Sequence, residues 1–237
     1  MNTVSELKRI GDRVFLIHGD MLDYQHIFKP KSFDLVLTDP PYGMGFVSNH
    51  RKDKFSAIVG DNSVNPDWFW MCKTVKSTGA LYSFHKWVTQ NEFKENIDRY
   101  DNISIRNQLI WIKNNDTGGD LKRAYGEKHE CIWFATGDDF RFASKRPTTD
   151  IYASRVSGSK LLHPTQKPIQ LIRKLMQHSL SINERDAIVF DPFMGSGTTG
   201  VVAAERGYYF VGIESEMDYF KIAVNRISDV VNQMRLF

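Results

Sequence analysis

Cysteine is almost absent from this 237-residue chain, with Cys72 and Cys131 the only two. They stand far apart and form no Cys-x-x-Cys, which excludes a disulfide framework and a zinc ribbon. No run approaches eighteen consecutive apolar residues, so no segment reads as a transmembrane helix. The opening residues Met1-Asn2-Thr3-Val4-Ser5-Glu6 are too polar for a signal peptide. A dominant charge is lacking too: 31 Lys and Arg against 28 Asp and Glu leave only +3. That balance permits a nucleic-acid partner without demanding one. Internal repeats and low-complexity tracts are missing. What remains, 41% hydrophobic and 25% charged residues, excludes a disordered or fibrous chain. The length fits a single domain over 1–237, and the composition a cytoplasmic protein with no membrane partner.

Seven short apolar runs have strand length: Val14–Ile17, Phe33–Leu37, Ala80–Phe84, Gln108–Ile112, Cys131–Ala135, Ala187–Phe190 and Tyr208–Ile213. Several are continuously apolar, as strands covered on both faces are. Between them, Ile169, Leu171, Ile172, Leu175, Met176 and Leu180 fit one face of a helix after Pro168. Phe220, Ala223, Ile227, Val230 and Met234 do the same in a last helix. Strands alternating with helices predict an α/β, doubly wound, mostly parallel sheet. Two polar stretches, 43–65 and 136–162, interrupt the rhythm, and long loops of this kind are usually functional or disordered.

Two motifs carry chemistry. Thr38-Asp39-Pro40-Pro41-Tyr42 follows the run Phe33–Leu37, which puts it at the carboxyl edge of the sheet, where open α/β folds bind ligands. The prolines fix φ and remove two backbone donors. The result is a stiff segment presenting one carboxylate, bare carbonyls and an aromatic face. That set suits an exocyclic amino group on a planar ring. The second motif runs Asp191-Pro192-Phe193-Met194-Gly195-Ser196-Gly197-Thr198-Thr199-Gly200, after a strand and before a helix. Its glycines satisfy G-x-G-x-x-G, and Glu214 ends the next strand 19 residues after Gly195. Such a loop can approach a nucleotide-like cofactor closely while the acid bonds ribose hydroxyls. Alone it fits NAD, FAD or S-adenosylmethionine equally. No Lys-Ser/Thr follows the glycines, so it is not a P-loop. Together the two motifs place an adenosine pocket beside an amino-group clamp, the layout that moves a methyl group from a sulfonium to an amine.

With these motifs in this order, the sequence resembles the S-adenosylmethionine-dependent DNA amino-methyltransferases of the beta arrangement, in which the target-base motif precedes the cofactor motif. His163-Pro164-Thr165-Gln166-Lys167-Pro168 lies between them as in that family. His18-Gly19-Asp20-Met21-Leu22, Leu109 to Lys113, His129-Glu130-Cys131-Ile132 and Gly212-Ile213-Glu214 extend the likeness over nearly the whole chain. The resemblance implies a seven-stranded Rossmann-like sheet with circularly permuted motif order. It implies direct methylation of the exocyclic N6 of adenine in a base flipped out of DNA, with S-adenosylhomocysteine as product and no metal. Asp39 would accept from the target amine, with the Pro40 carbonyl as second acceptor, Pro41 stiffening the turn and Tyr42 stacking on the base. By this carry-over, Asp191, Phe193, Gly195, Ser196, Gly197, Thr198 and Thr199 cradle the cofactor's methionine part beside Asp39. Glu214 holds its ribose, Asp20 and Met21 border its adenine, and His163, Thr165 and Lys167 lie beside its carboxylate. Lys113 and Glu130 read as an ordinary pair of strand-end charges.

The departure from the family lies in target recognition, because the insert over 136–162 is only 27 residues long. Between Lys145 and Arg173 six basic residues face one acid, a local +5. Lys145, Arg146, Arg155 and Lys160 are therefore expected to meet phosphates. His50, Arg51 and Lys52, in the 43–65 loop, are expected near the flipped base. Loops so short predict a short or degenerate site, or a homodimer that supplies the second half. A cognate restriction endonuclease is the other partner such an enzyme admits. The rival acceptor is cytosine N4, whose relatives more often carry Ser where Asp39 stands. From other classes, a nucleotide-dependent oxidoreductase would leave Asp39 to Tyr42 unexplained, and an inactive DNA-binding subunit would not need both motifs intact.

Overall fold

The computed structural model of the protein describes residues 6–43, 63–117, 122–123, 125–156 and 166–234. Nine strands form one sheet: β1 (Leu7–Ile10), β2 (Val14–His18), β3 (Phe33–Thr38), β4 (Val75–His85), β5 (Ser104–Thr117), β6 (Glu127–Thr136), β7 (Asp150–Tyr152), β8 (Ile188–Asp191) and β9 (Tyr209–Glu214). Their order is β1-β2-β9-β8-β3-β4-β6-β5-β7. All seven expected runs are strands, but the expected count of seven is corrected to nine among the described residues. The two additions sit at the sheet's edges. β1 is largely exposed and β7 is three residues inside the polar insert, so neither shows a buried apolar run. Five of the eight neighbouring pairs are parallel, and β1, β6 and their partners supply the antiparallel ones.

Strand alternation divides the core in two. Leu35 and Leu37 face the side covered by α2 (Ile169–Ser179), α3 (Thr198–Arg206) and α4 (Met217–Met234), whose inner positions Leu171, Leu175, Val202, Ala223 and Ile227 are buried. Val36 faces the other side. That side is covered by α1 (Gln90–Ile97) and a 3-10 segment, Pro66–Thr74, whose Trp68, Phe69, Trp70 and Met71 are all buried. Phe190 packs there between Phe33, at 4.5 Å between ring centroids, and Phe28, at 5.1 Å. Burying such a side chain contributes about 1.5–3 kcal/mol. At the amino edge of the sheet the Asp34 carboxylate accepts twice from Lys76 Nζ at 2.8 Å and once from the Ile188 amide at 2.9 Å, tying β3, β4 and β8 together. No helix among the described residues is long and apolar enough to cross a membrane.

The order also fixes the site. From β3 the chain proceeds to β4 on one side, and from β8 to β9 on the other. Val36 pairs with Phe190 across the boundary. A crevice opens outside the carboxyl ends of the strands at such a switch point. Asp39 and the glycine loop emerge there side by side, although 156 residues separate Asp39 from Gly195.

Candidate active site

Asp39 follows the last residue of β3, and both of its carboxylate oxygens are engaged. Oδ1 accepts from the Tyr42 hydroxyl in a short contact, and Oδ2 accepts from Lys167 Nζ in another. Lys167 precedes α2 and is buried, with its ammonium 3.3 Å from the Tyr42 hydroxyl and 4.8 Å from the Phe84 ring centre. The same ammonium lies 3.4 Å from Glu130 Oε2 on β6, while Glu130 Oε1 accepts from Lys113 Nζ of β5 at 3.2 Å. Lys113 and Glu130 are indeed paired, but the expectation of ordinary strand-end charges is corrected. Both are withdrawn from solvent and joined to Asp39 through Lys167. Burial pushes the Asp39 carboxyl up despite Lys167, and the neighbouring ammoniums hold Glu130 down.

Opposite Asp39, the turn after β8 is built from its own polar groups. Asp191 is buried, taking the Thr199 hydroxyl on Oδ2 at 2.7 Å and the Phe193 amide on Oδ1 at 3.2 Å. Desolvation pushes its carboxyl up to about 7. Gly195 and Gly197 have φ of +51° and +79°, a region that side chains avoid. At Gly197 a Cβ would also lie 2.8 Å from that of Ala223 on α4. The Ser196 and Thr198 hydroxyls accept from Arg226 of α4 at 3.0 and 3.4 Å, and the same guanidinium donates to the Ser196 carbonyl. Their own hydroxyl hydrogens therefore remain for other acceptors. Arg226 escaped the sequence reading because an arginine nine residues into a helix carries no local signal of a loop contact.

Glu214, at the end of β9, accepts from the Gly195 amide on Oε2 at 2.9 Å and from the Glu216 amide on Oε1 at 2.8 Å. Each oxygen retains a lone pair for a hydroxyl donor. Burial pushes this carboxyl up to about 7 as well. The Gly19 amide bonds the Glu214 carbonyl at 2.9 Å, which brings Asp20 beside this strand end. Asp20 is exposed and caps a 3-10 turn through the Leu22 amide. Met21 is buried, with Trp70 Nε1 donating to its sulfur at 3.1 Å. Phe193 is half-buried, edge-on to Trp68 at 5.5 Å.

The structure thus gathers Asp39, Pro40, Pro41, Tyr42, Lys167, the 191–199 turn and Glu214 at one edge. His163, Thr165, His50, Arg51, Lys52 and Lys160 lie outside the described residues. The expected phosphate contacts separate. Arg155 lies at the carboxyl edge, where its amide donates to the Asn114 side chain at 3.2 Å. Lys145 and Arg146 do not join it. The segment leading to them runs along the opposite edge, with Asp139 N on the Ser77 carbonyl and Ala143 N on that of His178, near the end of α2. The insert thus begins away from the cleft, because β6 descends to the amino edge before it.

A family model described as DNA methylase matches residues 33–225, which contain both motifs. The chain belongs to this DNA methylase family. Across the methylase, a protein of Escherichia coli (strain K12) bearing the methylase name YubD is 30% identical over 223 residues, 92% of each chain. The type II methyltransferase M2.DpnII of Streptococcus pneumoniae is 28% identical over 249 residues, covering 91% of this chain and 90% of that one. Among solved structures, the M1.HpyAVI–SAM complex superposes with a TM-score of 0.68 at 24% identity, covering 90% of this chain and 99% of that one. The PvuII DNA methyltransferase, a cytosine-N4-specific enzyme, gives 0.71 at 17% identity, covering 95% and 96%. These two likenesses speak for the shared fold.

Proposed function

We propose that this DNA methylase transfers a methyl group from S-adenosylmethionine to the exocyclic N6 of adenine in DNA. The observation that carries the reading is the meeting of Asp39 and the glycine turn across the β3–β8 switch point. The residues suit the cofactor chemically. Glu214 offers carboxylate oxygens to a ribose, the 193–199 turn offers backbone amides and two hydroxyls to an amino-acid end, and Phe193 offers an apolar wall. When bound, S-adenosylmethionine would supply the methyl group, its C–S bond breaking as the C–N bond forms to leave S-adenosylhomocysteine, and the surplus proton of the methylated amine would pass to water.

The chain's own part is orientation. An aromatic amine is a poor nucleophile because its lone pair is delocalised into the ring. Hydrogen bonds from the amine to Asp39 and the Pro40 carbonyl favour a pyramidal nitrogen with the lone pair directed at the methyl group. Holding reactants in line can contribute about 7–11 kcal/mol in favourable cases. A base inside a duplex cannot reach this edge, so it is extruded at a cost of about a few kcal/mol. Stacking on Tyr42, worth about 1–3 kcal/mol, offsets much of that. Asp39, rather than the Ser more usual in cytosine-N4 relatives, supports adenine as acceptor. Modification-sensitive sequencing of DNA from a methylation-free host expressing the chain names base and site together. N4-methylcytosine in place of N6-methyladenine would overturn the choice of base.

Two further outcomes are expected. A ribose hydroxyl donates better to an ionised carboxylate, and Glu214 ionises at about 7. Cofactor affinity measured by calorimetry should therefore rise as pH passes from 6 to 8, and Glu214→Gln should flatten the rise. An affinity that Glu214→Gln leaves unchanged at both pH values would remove Glu214 from the ribose. DNA binding followed by anisotropy should lose about one unit of salt slope in Arg155→Ala. Lys145→Ala/Arg146→Ala should keep the wild-type slope, because the segment leading to them runs along the far edge. A drop in the double variant would return them to the interface.

A further inference from the structure

The contacts around Asp39 form a chain of four alternating charges that reaches well behind the clamp. Lys113 touches Glu130 at 3.2 Å, Glu130 touches Lys167 at 3.4 Å, and Lys167 sits directly on Asp39. Two ammoniums and two carboxylates sum to zero. Among the described residues Glu130 Oε2 is buried without a hydrogen bond, and the charge it faces is Lys167. Stability alone does not account for such a set, since buried ion pairs replaced by apolar side chains often leave a fold equally stable or more so. Breaking one by removing a single partner is what costs.

Asp39 and Glu130 compete for the same ammonium. If Lys167 had Asp39 alone, its charge would be spent on the carboxylate that must accept the target amine. It would also oppose the positive charge that arrives on the target nitrogen as the methyl group does. We propose that Glu130, anchored by Lys113, is a positioning residue that shares Lys167 with Asp39 and so leaves the Asp39 oxygens freer to accept from the amine. The proposal rests on the reading of Asp39 as the amine clamp. Among the described residues Glu130 contacts Lys113 and Lys167, and its influence on Asp39 passes through Lys167.

Single-turnover methyl transfer to unmethylated genomic DNA, at saturating labelled S-adenosylmethionine, tests this when combined with calorimetric cofactor binding. Glu130→Gln should slow transfer about 10- to 100-fold while cofactor affinity stays within about threefold. In a Lys167→Met background, the same substitution should change the rate by less than about threefold, because the ammonium it tempers is gone. A Glu130→Gln rate within threefold of wild type overturns the proposal. So does an equal loss in both backgrounds, which would mark Glu130 as a brace for Lys113. Should Glu130→Gln alone fail to fold, the charge-neutral double variant still decides: a rate well below that of Lys167→Met refutes the coupling. Wild-type turnover in Asp39→Ala would instead overturn the clamp reading itself.

Discussion

Asp39→Ala is expected to lower methyl transfer by at least about two orders of magnitude while leaving cofactor binding nearly intact. On the proposed reading the lost carboxylate orients the amine, whereas Glu214 and the 193–199 turn hold the cofactor's ribose and amino-acid ends. The variant should still fold. Breaking a buried pair costs about 3–5 kcal/mol when the remaining charge has no partner, but Lys167 keeps Glu130 at 3.4 Å. Asp39→Asn should fall between, since an amide oxygen accepts from the amine but carries no charge. Tyr42→Ala loses the stacking ring. From the sequence, Tyr42→Phe reads as harmless, because stacking needs only a ring. The hydroxyl, however, bonds Asp39 Oδ1, so Phe should be milder than Ala yet slower than wild type. Turnover at the wild-type level in Asp39→Ala, beside an unchanged melting temperature, would show that the carboxylate plays no part.

What was legible in the sequence followed from period and punctuation. The seven buried strands announced themselves as apolar runs, and Pro168 and Gly197 marked the entries of α2 and α3. The meeting of the two motifs followed from each standing just after a strand, at the carboxyl edge of one sheet. Lys113 and Glu130 were misjudged because charges at strand ends are commonly solvated. Strand parity carried the missing signal. Asp39 is in phase with Leu35 and Leu37, Lys113 with Leu109 and Trp111, and Glu130 with Ile132 and Phe134, all turned toward the α2 side. A charge in phase with a buried row must find a partner there. The placing of Lys145 and Arg146 was beyond such reasoning, since nothing local tells a basic loop which edge of the sheet it will follow.

Asp191 provides a stability test that is independent of turnover. Its carboxyl is pushed from 3.8 up to about 7 by burial, although Thr199 and Phe193 donate to it. Below the unfolded value both states are protonated and the group contributes nothing to the balance. Above about 7 both are ionised, and the folded state carries a buried charge that the unfolded chain leaves in water. Between the two, the folded state binds more protons, so this group makes the fold less stable as pH rises. A rise from 3.8 to about 7 corresponds to about 4 kcal/mol. Asn mimics the protonated carboxyl, its oxygen accepting from Phe193 and its amide donating to Thr199 Oγ. Asp191→Asn should therefore match wild type near pH 4 and exceed it at pH 8, by a melting temperature on the order of 10 °C. Calorimetric scans of both proteins across that range measure the difference directly. A gap that stays constant, or one that widens toward acid, would mean that Asp191 is held ionised by its donors and stabilises the turn as an anion.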